Sequence, residues 1–383
     1  MFLNQYADLY LTGALLLATA GISYFLCAGF ASHTIFRDDP NARSSHDRPT
    51  SRAGGVGVFA TWAIATPLLA FVSSGQGGGL NSSVSFIGVS ALAFLVGVVD
   101  DWRGLKAAHK FFYQALAAGL FVLAFGAINL VPLPFFGFVS VGLVGPFLTI
   151  FWLVAFMNAF NFMDGVNGLA GLAGIVGASG LAIAGSLVGN DFVAMSALVL
   201  CAAQIGFLRV NFPSGRIFLG DGGSLSISFI LASLAVVLAK DPPGVGVSAL
   251  FLPTLFAPFI FDVAITLVHR ALRRQKILHA HNEHIYQLLV RLGWSHAGVA
   301  SLYFVLIMVS GGVALAMLAL PGNLQWIAPA AIFTALLPGA LAIIYLGAYF
   351  DLLPRLTIAK PSKPGRREDN VDEEVKPVTG SSF

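Results

Sequence analysis

Residues 84–114 read VSFIGVSALAFLVGVVDDWRGLKAAHKFFYQ: an uncharged apolar run to Val99, then two aspartates, a short basic stretch, and the start of the next apolar run. Crossing a bilayer core takes about 20 mostly apolar residues, and with no water in the core every backbone group must bond within the segment, so such a run reads as a helix. The aspartates then mark its exit from the membrane. The same pattern recurs along the whole chain of 383 residues, which is 57% hydrophobic and only 10% charged, against roughly 25% charged in a soluble domain. Mean hydropathy is +0.83. Apolar stretches at 10–31, 56–72, 84–99, 111–128, 141–160, 168–187, 192–209, 223–239, 247–268, 299–319 and 326–349 predict an all-α polytopic membrane protein with about eleven transmembrane helices.

Charge orients these helices. With the amino terminus outside, on the periplasmic side, segments 32–55, 100–110, 158–167, 209–222, 269–298 and 350–383 fall inside, and they carry every Lys and Arg of the chain except Lys240. Cytoplasmic loops are enriched in Lys and Arg, so the partition supports both the orientation and the number eleven, because a missed helix would invert every later loop. The carboxyl terminus is then cytoplasmic. The opening MFLNQYADLY lacks the basic start of a signal peptide, so the first apolar stretch is expected to remain in the membrane. Cys27 and Cys201 both fall in predicted helices, where buried cysteines pack rather than pair or bind metal. No nucleic-acid motif is present and the net charge is only +3. Residues 1–350 are expected to form one membrane domain. Residues 351–383, rich in Pro, Gly, Ser and mixed charge, are expected to form a disordered cytoplasmic tail.

The outer connections are short and glycine-rich, whereas the inner ones are crowded with Asp, Asn, His and Arg, so the chemistry is expected inside. Asp100 and Asp101 repel each other at a helix mouth, so one must hold its proton or meet a cation; pairing with Arg103 or Lys106 at the interface is the plainer account. In NAFNFMDGVNGL (158–169), Asn158, Asn161, Asp164 and Asn167 recur every three residues, and on a helical or near-helical turn they would share a face suited to a planar base or a cation. In NFPSGRIFLGDGGS (211–224), Asp221 between glycines can serve as an oxygen ligand while Ser224 caps a helix, although Gly-Asp-Gly is also an ordinary turn. HAHNEHIYQ (279–287) follows Arg270, Arg273, Arg274 and Lys276; its histidines lack the companions of a metal site, and the cations suit an anion or the inner leaflet's lipids. The first inner loop, DDPNARSSHDRPTSRAGGVG (38–57), adds Arg43, His46, Arg48 and Arg52.

Taken together and in this order, VVDDWRGLKAAHKFFYQ, NAFNFMDGVNGLAG, FLGDGGS and HNEHIYQ resemble the polyprenyl-phosphate N-acetylhexosamine-1-phosphate transferases, over residues from about 38 to about 290. The resemblance implies that a UDP-activated N-acetylated sugar gives its sugar-1-phosphate to a membrane-bound polyprenyl phosphate such as undecaprenyl phosphate, releasing UMP. It implies Mg²⁺, with Mn²⁺ as an alternative, at the cytosolic face of a bacterial inner membrane. The partners it implies are those two substrates, membrane lipids and a second copy of the chain in a homodimer.

By matching position, the resemblance makes Asp221 the main Mg²⁺ ligand, with Asn161 beside it on the metal or the diphosphate. Asp164 and Asn167 would meet the uridine and Phe218 would stack on the uracil. Asp100 and Asp101 match the family's carboxylate pair, acting as base for the lipid phosphate or as organisers of the site. Lys110 would contact phosphate, His279, His281 and His284 would hold the diphosphate or sugar, and Arg43 and His46 lie in the matching first loop.

HNEHIYQLL looks like the form found in the O-antigen-initiating branch rather than the triple-histidine run of the peptidoglycan branch, as does the count of eleven spans. This points to UDP-GlcNAc or a 6-deoxy relative as donor and to lipopolysaccharide O-antigen biosynthesis. Asp262 lies within a predicted helix, where a carboxylate needs a partner, with Arg270 as the candidate. A secondary transporter of an organic anion or lipid-linked sugar would also explain many spans. Transporters place polar groups near the midplane on broken helices and carry internal repeats, whereas here the carboxylates gather at helix ends on one face and no repeat is visible.

Overall fold

The structure, a computed structural model, describes residues 2–32, 36–38, 49–74, 78–240, 246–275 and 281–353. Arg43, His46 and His279 lie outside the described residues, as does the tail from 354 onward.

The apolar stretches form helices α1 (Phe2–Ala31), α2 (Gly54–Ser74), α3 (Gly78–Arg103), α4 (Ala107–Phe125), α5 (Gly145–Phe162), α6 (Leu169–Leu187), α7 (Asp191–Asn211) and α8 (Gly220–Ala239). Beyond them lie α9 (Phe251–Leu255), α10 (Ala257–Leu272), α11 (Ile285–Arg291), α12 (His296–Met317) and α13 (Ile327–Tyr349). Among the described residues, ten helices are long and apolar enough to cross a membrane. The eleventh expected span, 247–268, is the pair α9 and α10, broken at Phe256. Pro258 is the reason: it has no N–H for the Thr254 carbonyl, and its ring disfavours helical geometry just before it. The pair still runs the depth of the bundle. Val247 N bonds the Leu238 carbonyl at the last turn of α8, and Asp262 meets α11, which is tied to the last residue of α5.

Two small hairpins complete the fold: β1 (Arg37–Asp38) with β2 (Thr50–Ser51), and β3 (Leu130–Leu133) with β4 (Gly137–Ser140), the second in an expected outer loop. Past the last turn of α13, Leu353 is buried against Gly347.

At the centre stands α8. Its spanning window is 94% buried, against 11% for α13 and 17% for α1. A helix apolar on every side belongs in a core, and α8 packs against α2, α3, α5, α6 and α7. Two of its serines bond back one turn, Ser226 to the Gly222 carbonyl and Ser228 to that of Ser224, whereas the Ser233 hydroxyl is buried without a hydrogen-bond partner. Two glycines let neighbouring helices reach the first turn of α8. A Cβ on Gly97 of α3 would lie 2.2 Å from the Asp221 carbonyl oxygen, and one on Gly55 of α2 would lie 2.2 Å from the Gly223 Cα. Only glycine permits this approach, the small-residue packing that membrane helices use.

Candidate active site

The first turn of α8 meets the ends of α3, α4 and α5. α8 opens at Gly220, not at Ser224 as expected, so Asp221 sits in its first turn, where the helix dipole favours negative charge. Lys110, in the first turn of α4, places Nζ 2.5 Å from Asp221 Oδ2 and 2.6 Å from Asp100 Oδ2. The other oxygen of Asp100 accepts the Leu105 N–H at 2.6 Å, closing the turn between α3 and α4. Asp101 points the opposite way. Its Oδ2 accepts the Gly222 N–H at 2.9 Å, satisfying a donor that the helix start leaves open, while its Oδ1 is buried without a hydrogen-bond partner.

From α5, Asn161 donates Nδ2 to Asp221 Oδ1 at 2.9 Å and to Ser224 Oγ at 2.8 Å. It therefore presents its amide nitrogen to Asp221 and holds that carboxylate in place. The expected stripe of Asn158, Asn161, Asp164 and Asn167 does not share one face, because α5 ends at Phe162. Asn158 is taken up by an amide pair with Gln114 at 2.7 Å, and Asn167 turns toward the Pro213 carbonyl at 3.4 Å. Asp164 lies in the turn after α5. Burial, and then the negative charges of Asp221 and Asp101, push its carboxyl well above the usual range against the pull of Arg52.

A strap of residues 51–55 crosses the approach to α8. The Phe218 N–H bonds the Ser51 carbonyl at 2.8 Å, and the Gly54 and Gly55 N–H groups bond the carbonyls of Phe218 and Leu219. This pins the half-buried Phe218 by its backbone and brings Arg52 within electrostatic reach of Asp101.

A second cluster lies beside the end of α5. The Tyr286 hydroxyl donates to the Phe162 carbonyl at 2.9 Å, and the His284 ring sits 5.8 Å from that of Phe162. His284 is buried and paired with Asp262 at 3.2 Å, while His281 is half-exposed with its ring 4.9 Å from His284. Desolvation, then His284 and Arg270, lower the His281 pKa to about 4, so its imidazole is neutral at neutral pH. Arg270 is not the partner of Asp262: its guanidinium pairs with Glu283.

Among the described residues no group of three or more His, Cys, Asp or Glu could hold a metal ion. Mg²⁺, however, is commonly bound through one or two carboxylates with substrate phosphates and water completing the shell. Asp100 and Asp221 converge on a single positive charge, which gives the two carboxylates such a site needs. The donor chemistry fits.

The structure thus brings together Asp100, Asp101, Lys110, Asn161 and Asp221 and couples Asp164 to them electrically, while His281 and His284 form the second cluster beside the end of α5, Phe218 is tied to the strap and Asn167 turns toward Pro213. Sequence reasoning missed Arg52 as a neighbour of the carboxylates, although it stands two residues before the glycine pair at 54–55. Tyr303, a partner of Asp262, gave no signal, being one aromatic residue in an apolar helix.

The sequence pattern of glycosyl transferase family 4 matches residues 83–239, from α3 to the end of α8. An undecaprenyl-phosphate alpha-N-acetylglucosaminyl 1-phosphate transferase of Thermotoga maritima is 30% identical, over 64% of this chain and 72% of its own. A decaprenyl-phosphate N-acetylglucosaminephosphotransferase of Mycolicibacterium smegmatis is 27% identical, over 87% of this chain and 89% of its own. A phospho-N-acetylmuramoyl-pentapeptide-transferase of Staphylococcus carnosus is 25% identical, over 70% and 84%. The carboxylate and lysine cluster lies within the matched region, and the chain belongs to the polyprenyl-phosphate N-acetylhexosamine-1-phosphate transferase family.

Proposed function

We propose that this protein transfers N-acetylhexosamine-1-phosphate from a UDP-sugar to undecaprenyl phosphate, releasing UMP, at the cytosolic face of a bacterial inner membrane, as the first membrane step of a cell-envelope polysaccharide. The observation that carries the reading is the convergence of Asp100, Lys110, Asn161 and Asp221 from four helix ends. A lipid phosphate confined to the bilayer and a soluble nucleotide sugar can meet only where helices reach water. All Lys and Arg but Lys240 lie in segments expected on the side of these helix ends, and the positive-inside rule supports a cytosolic site.

In the reaction, a lipid phosphate oxygen forms a bond to the sugar-bearing phosphorus of the donor, and the bridging oxygen of the diphosphate leaves with UMP. A phosphate monoester has its second pKa near 6, so the nucleophile is already mostly dianionic at neutral pH and needs no strong base. The difficulty is charge, and catalysis of such transfers rests on positioning and electrostatics. Asp221, with Asp100, would hold Mg²⁺, which when bound would neutralise charge on the diphosphate. Lys110 and Arg52 add fixed positive charge, and Asn161 keeps Asp221 in its rotamer. Neutral His281 supplies a hydrogen bond rather than a charge.

The donor is UDP-GlcNAc or a 6-deoxy relative, supported by two relatives named for N-acetylglucosamine transfer. The test is purified protein with undecaprenyl phosphate, a panel of UDP-sugars and Mg²⁺. UMP should form with a simple UDP-N-acetylhexosamine and cease with EDTA; no UMP from any donor, with uptake of organic anions into vesicles, would favour a transporter instead.

A further inference from the structure

Asp262 is the most heavily used buried carboxylate among the described residues, and it touches none of the cluster around Asp221. Its Oδ1 accepts the Ile285 N–H at 2.9 Å and meets His284 Nδ1 at 3.2 Å and Thr266 Oγ1 at 3.3 Å. Its Oδ2 accepts the Tyr286 N–H at 3.1 Å and the Tyr303 hydroxyl at 2.5 Å. Five donors from α10, α11 and α12 thus converge on one side chain that is 1% exposed. A carboxylate at that depth is costly unless every lone pair is used, and here the donors use them.

The consequence reaches the active site by a short path. Asp262 holds the start of α11 and the His284 ring; the next residues, Ile285 and Tyr286, are held by their backbone; and the Tyr286 hydroxyl bonds the Phe162 carbonyl, one residue beyond Asn161. Asn161 in turn holds Asp221. The half-exposed His281 ring packs 4.9 Å from that of His284. Beside this path, Arg270 of α10 and Glu283 form a buried ion pair.

We propose that Asp262 is a positioning residue that, with Tyr303, clamps the HNEHIYQ segment so that His281 faces the donor's diphosphate while buried His284 acts as the clamp's support and not as a substrate contact. The proposal rests on the transferase reading for its kinetic consequence but not for its structural one. Removing an outer partner that orients a metal-ligating histidine changes metal affinity or activity by about 10–100-fold, and by analogy a loss of that order is expected here.

Two measurements on Asp262→Asn and Tyr303→Phe test it, both on the full chain in detergent. Hydrogen exchange of the substrate-free protein reads the clamp alone: amides of 284–291 should exchange at least tenfold faster in Asp262→Asn and by a smaller factor in Tyr303→Phe, while those of α8 stay unchanged. Steady-state UMP release should show kcat falling about tenfold or more in Asp262→Asn and a few-fold in Tyr303→Phe, with the KM for undecaprenyl phosphate unchanged. Unchanged exchange in both variants overturns the clamp. Faster exchange with wild-type kcat overturns the link to His281, as does a lower unfolding temperature with full activity per folded molecule. If Asp262→Asn does not fold, Tyr303→Phe decides by the same readouts. A wild-type protein that releases no UMP would instead sink the transferase reading, with the exchange result still deciding the clamp.

Discussion

Lys110 Nζ and Asp221 Oδ2 lie 2.5 Å apart across 111 residues of chain, joining the first turn of α4 to the first turn of α8. The same ammonium meets Asp100, so one lysine balances two carboxylates that would otherwise repel.

Replacing that lysine should therefore affect the site more than the fold. Lys110→Met is expected to reduce UMP release by about 100-fold, the order lost when one charge-stabilising donor is removed. Lys110→Arg should recover only part, because a planar fork cannot stand in for a compact ammonium between two oxygens. Initial rates at saturating donor would show it, and near-normal rates in Lys110→Met would remove Lys110 from the machinery.

Asp221→Asn should fold, with a circular dichroism spectrum like the parent's, yet lose turnover by about 100-fold or more. Asn keeps the shape and the contact with Asn161 but gives up the charge. Activity within a few-fold of the parent would exclude Asp221 as the principal ligand.

Gly97→Ala tests the approach of α3 to α8. Its new methyl would meet the Asp221 carbonyl oxygen at 2.2 Å, whereas a methyl on Gly88 of the same helix meets nothing within 4 Å. Overpacking costs about 1–3 kcal/mol, so Gly97→Ala should lower the unfolding temperature in detergent and Gly88→Ala should not. Equal temperatures for the two would show that the helices are not this close.

The protonation of His281 gives a pH signature. Its folded pKa is depressed to about 4 by desolvation, His284 and Arg270, below the ordinary value near 6.5. The stability linked to neutral His281 is fully present above that ordinary value and is lost as pH falls toward 4, because the unfolded chain takes up the proton first. Between pH 7.5 and pH 5, His281→Asn should lose less unfolding temperature than the parent. An identical loss would show that His281 titrates normally.

Much of this was legible in the sequence where the relevant interaction is local. An apolar run ends where charge begins, so Asp100, Asp101, Lys110, Asn161 and Asp221 could all be placed at helix ends on one side. Asn158 and Asn161 show the limit. They lie three residues apart on one helix, yet one faces Gln114 of α4 and the other Asp221 of α8, a choice set by which helices flank α5.

The sequence alone determined the all-helical membrane class and which candidate residues stand at helix ends, because hydrophobic length and the onset of charge act through solvent and need no knowledge of neighbours. Only the tertiary structure decided that α3, α4 and α5 converge on the start of α8, that α8 begins four residues before Ser224, and that Asp262 binds the His284 loop instead of Arg270. Those outcomes depend on close packing between segments tens to hundreds of residues apart. Gly55 and Gly97 admit that packing at backbone contact, and periodicity along a single helix does not record it.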